Sequence, residues 1–283
     1  MCTIKVLDVE LNDPKVIPTN FFFITSLESF SQLSIGNWLY LCGEYGNLDN
    51  GSIFLKFDLL SSLNDITMMV NSIHRHYKPS MAFFKKDYIV VIGGRKNLKC
   101  EIYHKSSNKW RTLPDLPEER FGSCLINDDK QDSVYLFGGY CHQTKSNCSS
   151  LLKINLKSGI TWETLVVVNN SSLIARSFAN GIKTDKFKIL LFGGSTNSQE
   201  YSDEIIEFDM FSKTPTVSDL KLQRPSKFNN NSLANVDVIF YLIDDEDYIH
   251  KVNYQENRSY CNNPFEEISA NDININNNLE EII

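Results

Sequence analysis

The chain has 283 residues, 42% of them apolar and 22% charged, a balance that supplies a sizeable core and excludes global disorder. A formal charge of −7 argues against general nucleic-acid binding, which needs a basic patch to neutralise phosphates, though a local basic loop fits within it. No stretch approaches the roughly 20 apolar residues that span a bilayer, and the opening MCTIKVLDVELNDP lacks the apolar core of a signal peptide, so a soluble cytoplasmic protein without membrane insertion is expected.

In chain order, IKVLDVEL and KVIPT come first and read as strands. LYLCG then runs into Gly43 and is followed by IFLKFDL. KPSMAFF from Lys78 leads to YIVVIGG, closed by Gly93 and Gly94, then to CEIYH and KWRTL. RFGSCLI from Arg120 leads to VYLFGG at Gly138 and Gly139 and then LLKINL; ARSFANGI from Ala175 leads to LLFGG at Gly193 and Gly194 and then EIIEFDM. The last round is weaker: SKFNNNSL, FYLIDD with Asp244 where glycines would stand, and YIHKVNY. Each of these strands shows period-two apolar alternation or a short apolar run bounded by Asn, Ser, Gly and Pro, and no long face of period 3.6 appears. The chain reads as all-β.

The markers recur at steps of about 45 to 55 residues, the length of one propeller blade. A glycine pair where an apolar strand ends allows a positive φ and close approach of a neighbouring backbone, so each pair predicts a corner after the second strand of a blade. Tyr103 and Trp110 sit at the third and fourth strands of one round, where large side chains fill the wedge between twisted sheets, and both are expected to be buried. Phe57, Ile154, Phe208 and Val252 take the Tyr place elsewhere, and Trp162 takes the Trp place in the next round.

A diglycine after an apolar strand, then a Tyr and a Trp at fixed spacing, resembles the kelch-repeat family, closely from Tyr88 to Ile126 and more loosely at the flanks. The resemblance implies a β-propeller of four-stranded antiparallel blades. The markers at Gly43, Gly94, Gly139, Gly194 and Asp244 account for five blades, and the two strands ahead of them point to a sixth shared between the chain ends, with a five-bladed ring or a partial sixth blade as the alternative. A propeller over 1–264 and a polar Asn- and Glu-rich tail over 265–283, with the alternating Ile273 and Ile275 offering a last strand, is the expected organisation.

The loops after the glycines differ greatly in length and charge, as recognition loops on a constant scaffold do. Arg95, Lys96, Tyr140, His142, Tyr201, Asp244 and Asp245 are therefore the candidate partner-binding residues. Catalytic signatures are weak. Cys141, His142 and Cys148 share one variable loop without a familiar metal spacing, and His74 and His76 alternate along an extended segment as a polar surface pair would. The seven cysteines are odd in number and scattered, which suits reduced thiols. No catalytic residue, metal or cofactor is expected. The leading expectation is a non-catalytic interaction module or scaffold subunit that binds a protein partner through one propeller face. Substrate recognition for a ubiquitin ligase and a galactose-oxidase-like propeller enzyme are the alternatives.

Overall fold

The computed structural model describes residues 3–8, 20–25, 29–35, 38–44, 51–58, 66–158, 161–184, 186–198, 200–228, 233–236, 239–243, 246, 249–253, 258–262 and 273–274. Among them there is no α-helix. The strands are β1 Thr3–Asp8, β2 Asn20–Thr25, β3 Phe30–Ile35, β4 Trp38–Gly43, β5 Ile53–Asp58 and β6 Ile66–Met68. They continue as β7 Ser80–Phe84, β8 Tyr88–Ile92, β9 Cys100–His104, β10 Lys109–Leu113, β11 Cys124–Asp128 and β12 Ser133–Phe137. A short hairpin, β13 Tyr140–Cys141 and β14 Ser146–Asn147, precedes β15 Leu151–Asn155 and β16 Glu163–Leu165. Then come β17 Asn180–Lys183, β18 Lys188–Phe192, β19 Ser202–Asp209 and β20 Thr214–Ser226, followed by β21 Leu233–Val236, β22 Ile239–Ile243, β23 Ile249–Asn253, β24 Arg258–Asn262 and β25 Ile273–Asn274.

These strands form antiparallel four-stranded sheets in simple succession: β3 to β6, β7 to β10, then β11, β12, β15 and β16, then β17 to β20, then β21 to β24. First strands stand side by side, β3 next to β7, β7 next to β11 and β11 next to β17, so the sheets radiate in a propeller arrangement. β1 pairs on one edge with β2 and on the other with β25, through Thr3 opposite Asn274 and Ile4 opposite Ile273. Apart from β25, the predicted tail lies outside the described residues.

The apolar runs of the second strands follow from this stacking, because each sheet is covered on both faces and neither face can stay polar. On β8, Ile89 and Val91 pack back with Tyr40, Cys42 and Phe54 of the preceding sheet. Val90 and Ile92 pack forward with Val134, Leu136, Leu152 and Ile154. The same alternation continues: Cys124, Tyr135 and Phe137 meet Ile189, Leu191 and Phe208, while Leu190, Phe192 and Ile205 meet Leu242 and Val252.

The paired glycines close β8, β12 and β18, all with positive φ. At Gly138 φ is 59°, and a Cβ there would stand 2.0 Å from the Arg176 carbonyl oxygen of the next sheet's approach segment. Gly139 donates its amide to that same carbonyl at 2.8 Å. A side chain would break the joint between two sheets, which is why the pair recurs at the end of a buried strand.

Tyr103 is fully buried, its hydroxyl donating to Asn108 Oδ1 at 2.8 Å, and burial pushes that hydroxyl's pKa up to about 12. Trp110 departs from the expectation of full burial. It lies on the outermost strand and is half-buried, edge-on to Phe54 of the preceding sheet at 5.0 Å, with its indole Nε1 donating to the Val70 carbonyl at 2.7 Å. Trp162 repeats the device one sheet on, donating to the Pro114 carbonyl at 3.0 Å. Each indole therefore ties an outer strand to the segment that leaves the sheet before it. With part of its area in solvent, Trp110→Ala is expected to lose about 2–3 kcal/mol, less than a fully buried Trp, and Trp110→Phe less than that because the hydrogen bond and part of the ring go while most of the packing stays. Urea denaturation of the two variants checks this; equal losses would leave the ring packing no share, and a Phe variant as stable as the wild type would remove the hydrogen bond from the account.

Candidate functional site

The loop end of the propeller is set by a buried polar side chain just ahead of the first strands β7, β11 and β17. Arg120 Nη1 donates to the Gly138 carbonyl at 3.1 Å and to the Ser150 carbonyl at 2.8 Å, while Nη2 meets Glu118 Oε1 at 2.7 Å. Arg176 Nη1 donates to the Gly193 carbonyl at 3.1 Å and pairs with Glu204 through Nη2. In the sheet before these, His76 takes the arginine's place, with Nδ1 2.7 Å from the Gly93 carbonyl and Nε2 3.2 Å from Glu101 Oε1. His74 Nδ1 reaches the same carboxylate oxygen at 2.8 Å. The expectation of a polar surface pair is thus corrected: His74 is half-buried and His76 fully buried. Both are drawn in because the buried Glu101 carboxylate needs donors.

On these supports a second row is built. The residue after each second glycine pairs by backbone with the residue after each support, Arg95 amide to Tyr77 carbonyl at 3.0 Å, Tyr140 with Phe121, and Ser195 with Ser177. One position further, Lys78, Gly122 and Phe178 all hold positive φ of 50°, 65° and 57°. Backbone bonds run between sheets here: Phe178 amide to Gly122 carbonyl at 2.7 Å, Phe228 amide to Phe178 carbonyl at 2.8 Å, and Lys78 amide to Ser29 carbonyl at 2.7 Å.

This rigid backbone carries a run of aromatic and cationic side chains. Tyr77 and Phe121 have ring centroids 6.3 Å apart, Phe121 and Phe178 5.1 Å apart and edge-on, and Phe121 and His142 6.2 Å apart. His142 is edge-on to Tyr140 at 5.2 Å. The Arg95 guanidinium stands 5.8 Å over Tyr77, and Lys78 Nζ 5.1 Å over Phe178. All the aromatic members are half-buried, with Arg95 exposed. The hairpin that presents Tyr140 and His142 is latched to the next sheet's loop by Asn147, whose amide nitrogen Nδ2 donates to the Ser195 carbonyl at 2.8 Å.

Of the residues singled out in the sequence, Arg95, Tyr140 and His142 come together in this run. Lys96 is exposed in the turn beside Arg95. Tyr201 is set apart, bridged by backbone to Ser195, with Lys227 Nζ 5.0 Å over its ring. Asp244 and Asp245 lie outside the described residues. Sequence reasoning missed Tyr77, Phe121 and Phe178; the available signal was their fixed place just after His76, Arg120 and Arg176. Cys141 and Cys148 are buried free thiols, and burial pushes Cys148 up to about 11, far from a reactive thiolate. Among the described residues no group of three or more His, Cys, Asp or Glu is placed to hold a metal ion, and no helix is long and apolar enough to cross a membrane. No protein-family model and no curated protein matches the sequence.

Proposed function

We propose that the chain is a kelch-type propeller, six-bladed and closed by a blade shared between residues near its two ends, that works without catalysis as a protein-interaction module or scaffold subunit. The closure reading is supported by the double pairing of β1 with β2 and β25. The kelch reading is supported by the diglycine corners and the two indole ties. The observation that carries the function is the half-buried aromatic row Tyr77, Phe121, Phe178, Tyr140 and His142, edged by Arg95 and Lys78 and held on a backbone bonded from sheet to sheet. Aromatic and arginine side chains on a preorganised surface are what protein interfaces use as anchors, because they bury large area and have little rotamer freedom to lose.

Co-purification with tagged protein is the test. Arg95→Glu combined with Lys96→Glu is expected to reduce recovery of the partner at least tenfold, while the melting temperature stays within a few degrees, since both residues are exposed and such substitutions shift stability by about 0.5 kcal/mol. Undiminished recovery would place the docking surface elsewhere.

A further inference from the structure

The opposite end of the propeller has a different character. The turns joining first to second strands and third to fourth strands lie there, and hydrogen bonds knit them together. Lys105 amide donates to the Asp87 carbonyl at 2.9 Å, Leu156 amide to the Asp132 carbonyl at 2.7 Å and Met210 amide to the Phe187 carbonyl at 2.6 Å. Between sheets, the Lys85 amide donates to Asp129 Oδ1 at 2.9 Å, and Lys183 pairs with Asp128. These turns carry Lys86, Lys109, Lys130, Lys157, Lys186 and Lys213, although the chain as a whole is acidic with a formal charge of −7. None of the six forms an ion pair among the described residues.

The described acids of the same turns are occupied within them. Asp209 accepts the amides of Phe211 and Ser212 at 2.9 and 2.7 Å, Asp87 accepts the Ser106 amide at 3.1 Å and faces His104 Nε2 at 2.7 Å, and Asp132 pairs with Lys85. Hydrogen bonding to Ser212 holds the Asp209 carboxyl below its ordinary range, so it caps the turn as a carboxylate. Two phenylalanines project among the lysines. Phe211 is 81% exposed and Phe187 44%, their rings edge-on with centroids 6.1 Å apart. Lys186 Nζ stands 4.8 Å over the Phe187 ring.

We propose that this lysine-rich turn face is a peripheral docking surface for an anionic lipid bilayer, with Phe211 and Phe187 entering the headgroup boundary and the lysines meeting lipid phosphates and carboxylates. Charge complementarity favours a polyanionic partner, and several features favour a bilayer over a nucleic acid. A single arginine, Arg258 at the start of β24, joins the lysines among the described residues of these turns, so the forked recognition of single phosphates is sparse, whereas point-charge lysines suffice for a diffuse anionic plane. The Phe187 ring is covered on one side by Lys186 and met by Phe211, which leaves poor room for a stacked base but suits insertion of ring edges at turn tips. Nothing spans the bilayer in this arrangement; the contact is adsorption, and the aromatic row at the other end stays free for a protein.

Flotation of the purified chain with vesicles of mixed phosphatidylserine and phosphatidylcholine is the experiment, against pure phosphatidylcholine vesicles and a duplex oligonucleotide. The expected result is association with the anionic vesicles alone, weakened by salt, and reduced at least tenfold by Lys186→Glu with Lys213→Glu and severalfold by Phe211→Ser. Melting curves identify any variant that misfolds, in which case Lys186→Gln with Lys213→Gln reads the same charge dependence. The proposal is overturned by absence of wild-type association, by equal association with neutral vesicles, by variants that float like the wild type, or by lysine-dependent capture of the oligonucleotide in place of vesicles.

Discussion

Glu101→Ala is expected to lower stability by about 3–5 kcal/mol, the scale for breaking a buried charged network by removing one partner. Glu101 has no solvent exposure, and its two oxygens accept from the Ile73 amide at 2.8 Å, the His74 amide at 2.6 Å and His74 Nδ1 at 2.8 Å, with His76 Nε2 3.2 Å away. Alanine leaves these donors without their acceptor, and it frees the segment from Ile73 to His76 that leads into β7. Burial raises the carboxyl's pKa, but the His76 hydrogen bond and the Ile73 and His74 amides outweigh it and hold the value below the ordinary range. A carboxyl lowered in the folded state adds stability above its unfolded value, about 4.3, and that contribution fades as pH falls through the lower folded value. The wild-type advantage over Glu101→Ala is therefore expected to be full at neutral pH and to shrink in acid, with Glu101→Gln, which keeps shape but not charge, in between. Urea melts over a pH series check it. A neutral-pH loss below about 1 kcal/mol would show that the network does not hold the first strand.

How much of this was legible in the sequence depends on whether residue type or backbone position carries the information. The second strands were legible because burial on both faces leaves apolar runs such as Ile89 to Ile92, and the corners because only glycine tolerates what Gly138 meets. The aromatic row was hard to see because the left-handed position at its centre is filled by Lys78, Gly122 and Phe178, and only the glycine advertises such a backbone. His76 was misread for a related reason. Two later rounds put arginine where it stands, and the shared feature is distance to the first glycine's carbonyl rather than side-chain identity. Trp110 and Trp162 were found as a pattern and placed at the fourth strand, but spacing alone did not tell that the rings stay only half-buried.

Deleting residues 1–25 is expected to destabilise the whole chain, because of which way the β4 and β5 side chains point. Tyr40, Cys42 and Phe54 face the β7 to β10 sheet, whereas Leu39, Leu41, Ile53 and Leu55, exposed by no more than 1%, are absent from that cluster and alternate to the other side. The backbone of β2 runs beside β3 on that flank, and β25 has β1 as its partner. Without β1 and β2 these four aliphatic side chains would meet water. Exposing each costs about 1.5–3 kcal/mol at full burial, a ceiling that relaxation of the sheet lowers. A net loss of about 5 kcal/mol would bring the melting temperature down by at least about 10 °C in a chain of this size. A propeller held only by its neighbouring sheets would also lose its ring closure and expose a strand edge, so the truncated chain should self-associate more than the full chain. Differential scanning calorimetry with light scattering reads both effects. A truncated chain that melts at the full-length temperature and stays monodisperse would mean that the N-terminal strands close nothing, and the shared sixth blade would have to be abandoned for a ring of five.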